Sequence, residues 1–240
     1  MTYLLAIETS TEVATIALLA NGEIISRELS GVQTHSHGVL PAVKDLFDEA
    51  GIALSQCDVI AFGCGPGAFT GLRTACGVVQ GLAFGLDIPV VPVVSLRAMA
   101  QAVHQDDFRG DFVCVLDARM NEVYWAHYDA IKSIGGAKLS NGWREMHAPR
   151  LGQATEAFDY ALLHNADLVL GKGVALTDEL AQTNKTLLIK QAMPHAKEVV
   201  QLGLQDFRDG LAVSAELAQP LYLRNKIAQT TLERLQARAV

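Results

Sequence analysis

The stretch Tyr3–Leu29, YLLAIETSTEVATIALLANGEIISREL, decides the fold. Tyr3–Ile7 is continuously apolar, Ala14–Ala20 is apolar and partly β-branched, and Glu23–Leu29 alternates. Asn21-Gly22 lies between the last two runs. It is the strongest short hairpin signal, because both residues tolerate the positive φ that a tight turn demands. Three strands therefore open the chain. A helix follows at His37–Ala50, where Val39, Leu40, Val43, Leu46, Phe47 and Ala50 recur at helical spacing and Gly51 caps the end. Pro41 belongs in its first turn, where a missing N–H removes no bond. Next come a strand at Val59–Cys64, a glycine-rich turn at Gly63–Gly71, a buried helix at Thr70–Leu86 and a strand at Ile88–Val94. That order describes a mixed α/β sheet with helices against it.

The second half repeats the opening more faintly. Asp111–Ala118 and Glu122–Ala130 form a strand pair joined at Arg119–Asn121, and Asp167–Leu170 and Thr186–Lys190 read as later strands. Pro194–Phe207 reads as a helix with Ala196, Val199, Val200, Gly203 and Phe207 inward, and Gly135–Gly142 as a surface loop. Polar residues cluster at Gln101–Gly110, which marks a boundary. The expected organisation is an N-terminal lobe over residues 1–105, a reduced second lobe over 106–218, and a tail over 219–240 that ends in an exposed helix.

Composition narrows the function classes. The chain has 240 residues, half of them hydrophobic, and a mean hydropathy of +0.22, which excludes disorder. A net charge of −7 argues against a stand-alone nucleic-acid binder, which needs a basic footprint. Arg224, Lys226, Arg234 and Arg238 make the tail basic, and solvated charges on a terminal helix are a commoner explanation than contact with phosphate. Cys57, Cys64, Cys76 and Cys114 form no CxxC pair and no zinc spacing, so free thiols in a reducing compartment are expected. The opening MTYLLAIETS has neither a basic region nor a cleavage site, and a cytoplasmic location is the expectation. Ala75–Val94 imitates a membrane span, but its uncharged stretch before Asp87 falls short of ~20 residues, and Pro89 and Pro92 break it.

The turn GCGPGAFTGLR, Gly63–Arg73, places glycines between a strand and a helix N-terminus, where free N–H groups and the helix dipole favour an anion. A purely structural tight turn is the favoured reading, since no phosphate-binding lysine is present. Glu8 and Asp117 stand at strand ends, where a carboxylate can act as a base or hold magnesium. Glu8, Thr9, Ser10, Gly65, Gly67 and Thr70 are the candidate nucleotide contacts; the alternative is that the hydroxyls bond the turn's own backbone. Cys64 lacks the small flanking residues of a nucleophile elbow, so an inert buried thiol is expected. His35 and His37 are too few for a zinc site, and no metal is expected. In the helix Thr70–Leu86, Gly77, Gly81 and Gly85 fall on one face and allow a close backbone approach. Its other faces carry Leu72, Cys76, Val79, Leu82, Ala83 and Phe84. A helix apolar all round needs cover on both sides. Together with Leu40, Val43, Leu46 and Phe47, these residues make the candidate partner interface.

The segments LAIETST, GPGAFTGLR, DARMNEVY and PLYLRNKIA, in that order and spacing, resemble the TsaB (YeaZ) family, over most of the chain. The resemblance implies an actin-like, ASKHA-type fold of two lobes. It also implies a non-catalytic scaffold subunit that works with the catalytic paralogue TsaD and the ATPase TsaE. That complex transfers the threonylcarbamoyl group of threonylcarbamoyl-AMP to N6 of the adenosine beside the anticodon in tRNAs reading codons that start with A. The implied contact with TsaD runs through the two helices of the first lobe, and contact with tRNA is indirect. Without TsaD, the same helices pair with a second copy. No cofactor of the chain's own is implied, and any ATP or ADP sits at the joint of the complex. TsaD-type proteins hold iron or zinc through HxxxH, whereas here Val93–Met99 reads VVSLRAM. The kinase-type aspartate is replaced by Glu8. An independent ASKHA-type ATPase or small-molecule kinase is the alternative. A peptidase would need a nucleophile with a base or a metal, and the sequence offers neither.

Overall fold

The structure is a computed structural model and describes residues 1–29, 35–104, 110–130, 142–174 and 188–224. β1 (Leu4–Glu8), β2 (Ala14–Ala20) and β3 (Glu23–Leu29) form an antiparallel meander. Its second turn is Asn21-Gly22, with φ of 55° and 87°. α1 (His35–Ala50) leads to β4 (Val59–Gly65), and α2 (Phe69–Leu86) leads to β5 (Val90–Val94); both strands run parallel to β1. The sheet order is β3-β2-β1-β4-β5. β1 is buried on both faces, which is why it reads as an unbroken apolar run.

α3 (Ser95–Val103) carries the chain to a second sheet built from β6 (Asp111–Arg119), β7 (Glu122–Ala130), β8 (Trp143–Gly152), β9 (Asp167–Leu170) and β10 (Ile189–Gln191). α4 (Ala154–His164) precedes β9. The order β8-β7-β6-β9-β10 has the same connectivity and strand senses as the first sheet. The faint repeat in the sequence is thus a repeat of topology. The second copy is reduced, with β9 and β10 of 4 and 3 residues.

α5 (Ala196–Arg208) then returns to the first sheet, against β1, β2 and β4. The layers are α1 and α2, the first sheet, α3 and α5, the second sheet, and α4. Leu5 and Ile7 point to the α1–α2 side and Leu4 and Ala6 to the α5 side, as strand alternation requires. Gly203 lets α5 approach β4 closely: a Cβ there would lie 2.5 Å from Ala61 Cβ. This is an α/β architecture of two mixed sheets with one strand order, flanked and separated by helices.

Several boundaries differ from the sequence reading. α5 belongs in space to the first lobe, although it was assigned to the second, and Ala218 and Leu221 are fastened to α2 and β4 of the first lobe. The inner face of the first sheet needs cover, and α5 supplies Val199, Val200 and Leu202 for it. Residues 219–224 carry no helix, and the rest of the tail and residues 135–141 lie outside the described residues. α1 begins two residues early, so Pro41 stands in its second turn; the burial of Val39, Val43, Leu46 and Phe47 offsets the lost bond. α3 and α4 were not anticipated, because their inward faces are short and alanine-rich: Leu96, Ala98, Met99 and Ala100 in one, Ala157, Phe158 and Ala161 in the other. No described helix is long and apolar enough to cross a membrane.

Candidate functional site

Two places stand out, the outward face of α2 and the cleft between the lobes. The structure corrects the interface reading. Val43, Leu46, Phe47, Cys76, Val79 and Ala83 are at most 6% exposed and pack against Ile7, Ile16, Leu18, Ile60 and Phe62 of their own sheet. Leu72 is likewise buried, against Gly65. Of the ten candidates, Leu40 and Phe84 reach solvent at 49% and 82%, and Leu82 is half-buried. The glycine stripe read as the contact face is the open one, for a Cβ on Gly77, Gly81 or Gly85 would meet nothing within 4 Å. The reason is area. A helix turns its large apolar side chains to the sheet because they hold the burial energy, at ~25 cal/mol per Å², and leaves the glycines outside. The outward face of α2 thus comprises Thr70, Arg73, Gly77, Gly81, Phe84 and Gly85.

The cleft has a volume of about 1070 Å³. Its first-lobe wall holds Ser10, Thr11, Glu12, Gly67, Phe69, Thr70 and His195; across it stand Asp117, Arg119, Lys172 and Gly173. Of the candidate nucleotide contacts, Ser10, Gly67 and Thr70 line it. Glu8, Thr9 and Gly65 do not.

Glu8 is withdrawn beneath the cleft, fully buried. Its Oε1 accepts from the Ser10 N–H at 2.6 Å and its Oε2 from the Ser95 hydroxyl at 2.8 Å. Gly63 makes the room, since a Cβ there would fall 1.9 Å from Glu8 Oε2. Burial pushes the carboxyl pKa up, against the opposing hydrogen bonds from Ser10 and Ser95. A carboxylate so enclosed holds the floor together and offers no oxygen to a ligand. Thr9 donates to the Gly71 carbonyl at 2.7 Å, so its hydroxyl serves the turn.

The glycine turn is also occupied by the chain itself. The Ala68 N–H donates to the Ser10 carbonyl at 2.7 Å. Gly65, at φ 110°, lies under the tail, whose Leu221 carbonyl would stand 3.2 Å from a Cβ there. The Ala68 N–H is thus spent on an internal bond, and the tail rather than a ligand lies over Gly65. Burial raises the thiol of Cys64 to about 12 and those of Cys57 and Cys76 to about 11. Burial pushes Cys114 up as well. None is a thiolate nucleophile near neutral pH. Among the described residues no group of three or more His, Cys, Asp or Glu is placed to hold a metal; the His35 side chain lies outside the described residues.

On the far wall, Asp117 accepts from the Arg119 N–H at 2.8 Å. On the first-lobe side, His195 caps α5, with Nδ1 accepting from the Lys197 N–H at 3.0 Å and Nε2 facing Glu28 at 3.3 Å. The sequence reading missed Tyr222 and Arg224 as parts of the cleft. Leu221, Tyr222, Leu223 and Arg224 all line it, and the apolar-aromatic run PLYLR was the available signal.

Comparison with known proteins places this geometry. Residues 23–232 match the family model described as TsaD, tRNA N6-adenosine threonylcarbamoyltransferase. The tRNA threonylcarbamoyladenosine biosynthesis protein TsaB of Haemophilus influenzae is 36% identical over 226 residues, covering 93% of this chain and 94% of that protein. TsaB of Escherichia coli is 31% identical over 236 residues, covering 94% and 96%. The solved structure of YeaZ from Pseudomonas aeruginosa superposes with a TM-score of 0.74 at 35% identity, over 93% of this chain and 100% of that one. With relatives this similar over nearly its whole length, the chain belongs to the TsaB (YeaZ) family, in the biosynthesis of tRNA threonylcarbamoyladenosine.

Proposed function

We propose that this chain is the non-catalytic scaffold of a threonylcarbamoyl-transferring complex, and that it docks on TsaD through the outward face of α2 and the neighbouring exposed residues of α1. The observation that carries the reading is the open glycine stripe beside Phe84. Each glycine in an exposed helix position costs about 1 kcal/mol against alanine. Three at four-residue spacing, next to an aromatic ring left 82% exposed, match the needs of a helix-on-helix contact. The enclosed Glu8, the tail laid over Gly65 and the protonated thiols favour a subunit without chemistry of its own. TsaE and tRNA then engage the complex rather than this chain directly, ATP or ADP belongs to the joint, and the site of action is the cytoplasm. When TsaD is absent, the same face pairs with a second copy about a two-fold axis, since such an interface reuses one patch.

Size-exclusion chromatography with light scattering tests this, mixing the chain with TsaD of its own organism. Wild type is expected to form an equimolar complex, while Phe84→Glu and Gly81→Glu stay folded and fail to bind. Leu163→Glu, on the exposed side of α4, is expected to bind like wild type. Equal binding by all three variants removes the docking face. Magnesium-dependent ATP turnover by the isolated chain would favour an independent ATPase instead.

A further inference from the structure

Three sequence segments meet beyond the glycine stripe: the turn and first helical turn at 63–73, the hairpin turn at 117–124 and the tail at 218–224. The structure brings them together. Gln80 Nε2, on α2, donates to the Ala218 carbonyl at 2.8 Å. The Leu221 N–H donates to the Cys64 carbonyl at 2.7 Å, which fastens the tail to the end of β4. The Tyr222 ring lies 5.4 Å from that of Phe69, and Arg73 Nε donates to the Tyr222 hydroxyl at 3.1 Å. The same Arg73 guanidinium stands 3.8 Å over the Phe69 ring. At its far end the tail crosses the cleft. Arg224 Nη2 donates to the carbonyls of Ala118 and Arg119 at 3.1 and 3.3 Å and pairs with Glu122 at 2.6 Å.

Alternation strengthens the bridge. Leu221 packs into the core beneath α1 and α2, and Leu223, two residues on, packs into the core between the sheets. The turn that Arg224 grips is strained. Arg119, Met120 and Asn121 all have left-handed φ, at 64°, 59° and 60°, and none is glycine. Such residues persist where their surroundings over-determine them. Here the guanidinium ties down the carbonyls at the turn's start and the carboxylate at its end. The Arg224 side chain is 14% exposed, whereas the other link across the mouth, Arg119 to Glu12, is 71% exposed on both sides and correspondingly weak.

We propose that residues 218–224 form an interlobe strap that couples the first turn of α2 to the strained β6–β7 turn, so that loosening either end loosens the other. The strap sets the opening of the cleft and links the docking helix to the second lobe. It goes beyond the docking reading, and its test needs no partner.

Hydrogen–deuterium exchange of the full chain, read peptide by peptide, provides that test. In Arg224→Ala, amides of 118–123 are expected to exchange roughly tenfold to a hundredfold faster, the range for losing charge-assisted hydrogen bonds. Amides of 64–73, which Arg224 does not touch, are expected to speed up with them, while the buried half of α1 stays at the wild-type rate. Arg224→Lys keeps the charge without the fork and is expected to fall between. Should Arg224→Ala fail to fold, Tyr222→Ala probes from the opposite end and is expected to speed exchange at 118–123. A rise confined to the residues next to the substitution, a uniform rise through α1 as well, or no rise overturns the strap.

Discussion

Glu8 shows how one residue can keep its place in a fold and lose its access. Both its oxygens are bonded inside, and burial raises its pKa above the ordinary 4.5. A carboxyl with a raised folded pKa contributes fully below its unfolded value. That contribution is lost as pH climbs through the folded value. Wild type is therefore expected to lose stability, relative to Glu8→Gln, as pH rises above the ordinary carboxylate value of 4.5, because the Gln variant has no charge to bury and keeps an oxygen for the Ser10 N–H. Urea midpoints across that rise check it; parallel curves would contradict it. Gly63 is the partner of this arrangement. Gly63→Ala is expected to destabilise by about 1–3 kcal/mol, the usual range for overpacking, and Glu8→Ala in the same chain to recover part of the loss. Thermal unfolding of the single and double variants reads both.

At the scale of the element, α2 carries two opposite faces with opposite rules. Val79→Glu puts a charge among Ile60 and Phe62 and is expected to unfold the first lobe. Gly77→Ala and Gly81→Ala point into open space. Each is expected to stabilise the monomer, diluted until copies no longer pair, by about 1 kcal/mol in urea unfolding while weakening capture of TsaD. A glycine-to-alanine change that leaves stability unaltered would mean the stripe is already covered in the isolated chain. The helix itself was legible from the sequence because its strand–glycine–helix context and its apolar run are local. Which side faced out was not. Leu72, Cys76, Val79 and Ala83 on one side and three glycines on the other both read as contact faces until the sheet's position is known.

At the scale of the molecule, α3 and α5 lie between the two sheets and set their spacing. Arg97 on α3 pairs with Asp206 on α5, with side chains 15% and 4% exposed. Arg97→Ala would leave a buried carboxylate alone and is expected to cost about 3 kcal/mol or more. Arg97→Met with Asp206→Leu removes both charges and is expected to cost much less, as chemical denaturation of the pair would reveal. None of this pairing was visible in the chain, where the two residues are 109 positions apart.

The hairpin at Asn21-Gly22, the strand–helix alternation of the first lobe, the faint repeat in the second and the family motifs were all available from residue order. Turn chemistry and periodicity act over a few neighbours, and a motif is a string. The return of α5 to the first sheet, the withdrawal of Glu8 beneath the cleft, the exposure of the glycine stripe and the crossing of residues 218–224 between the lobes came from the folded molecule alone. Each depends on which surface was left uncovered once the sheets had formed. That is a competition for buried area between segments far apart in the chain, and no local pattern encodes its outcome.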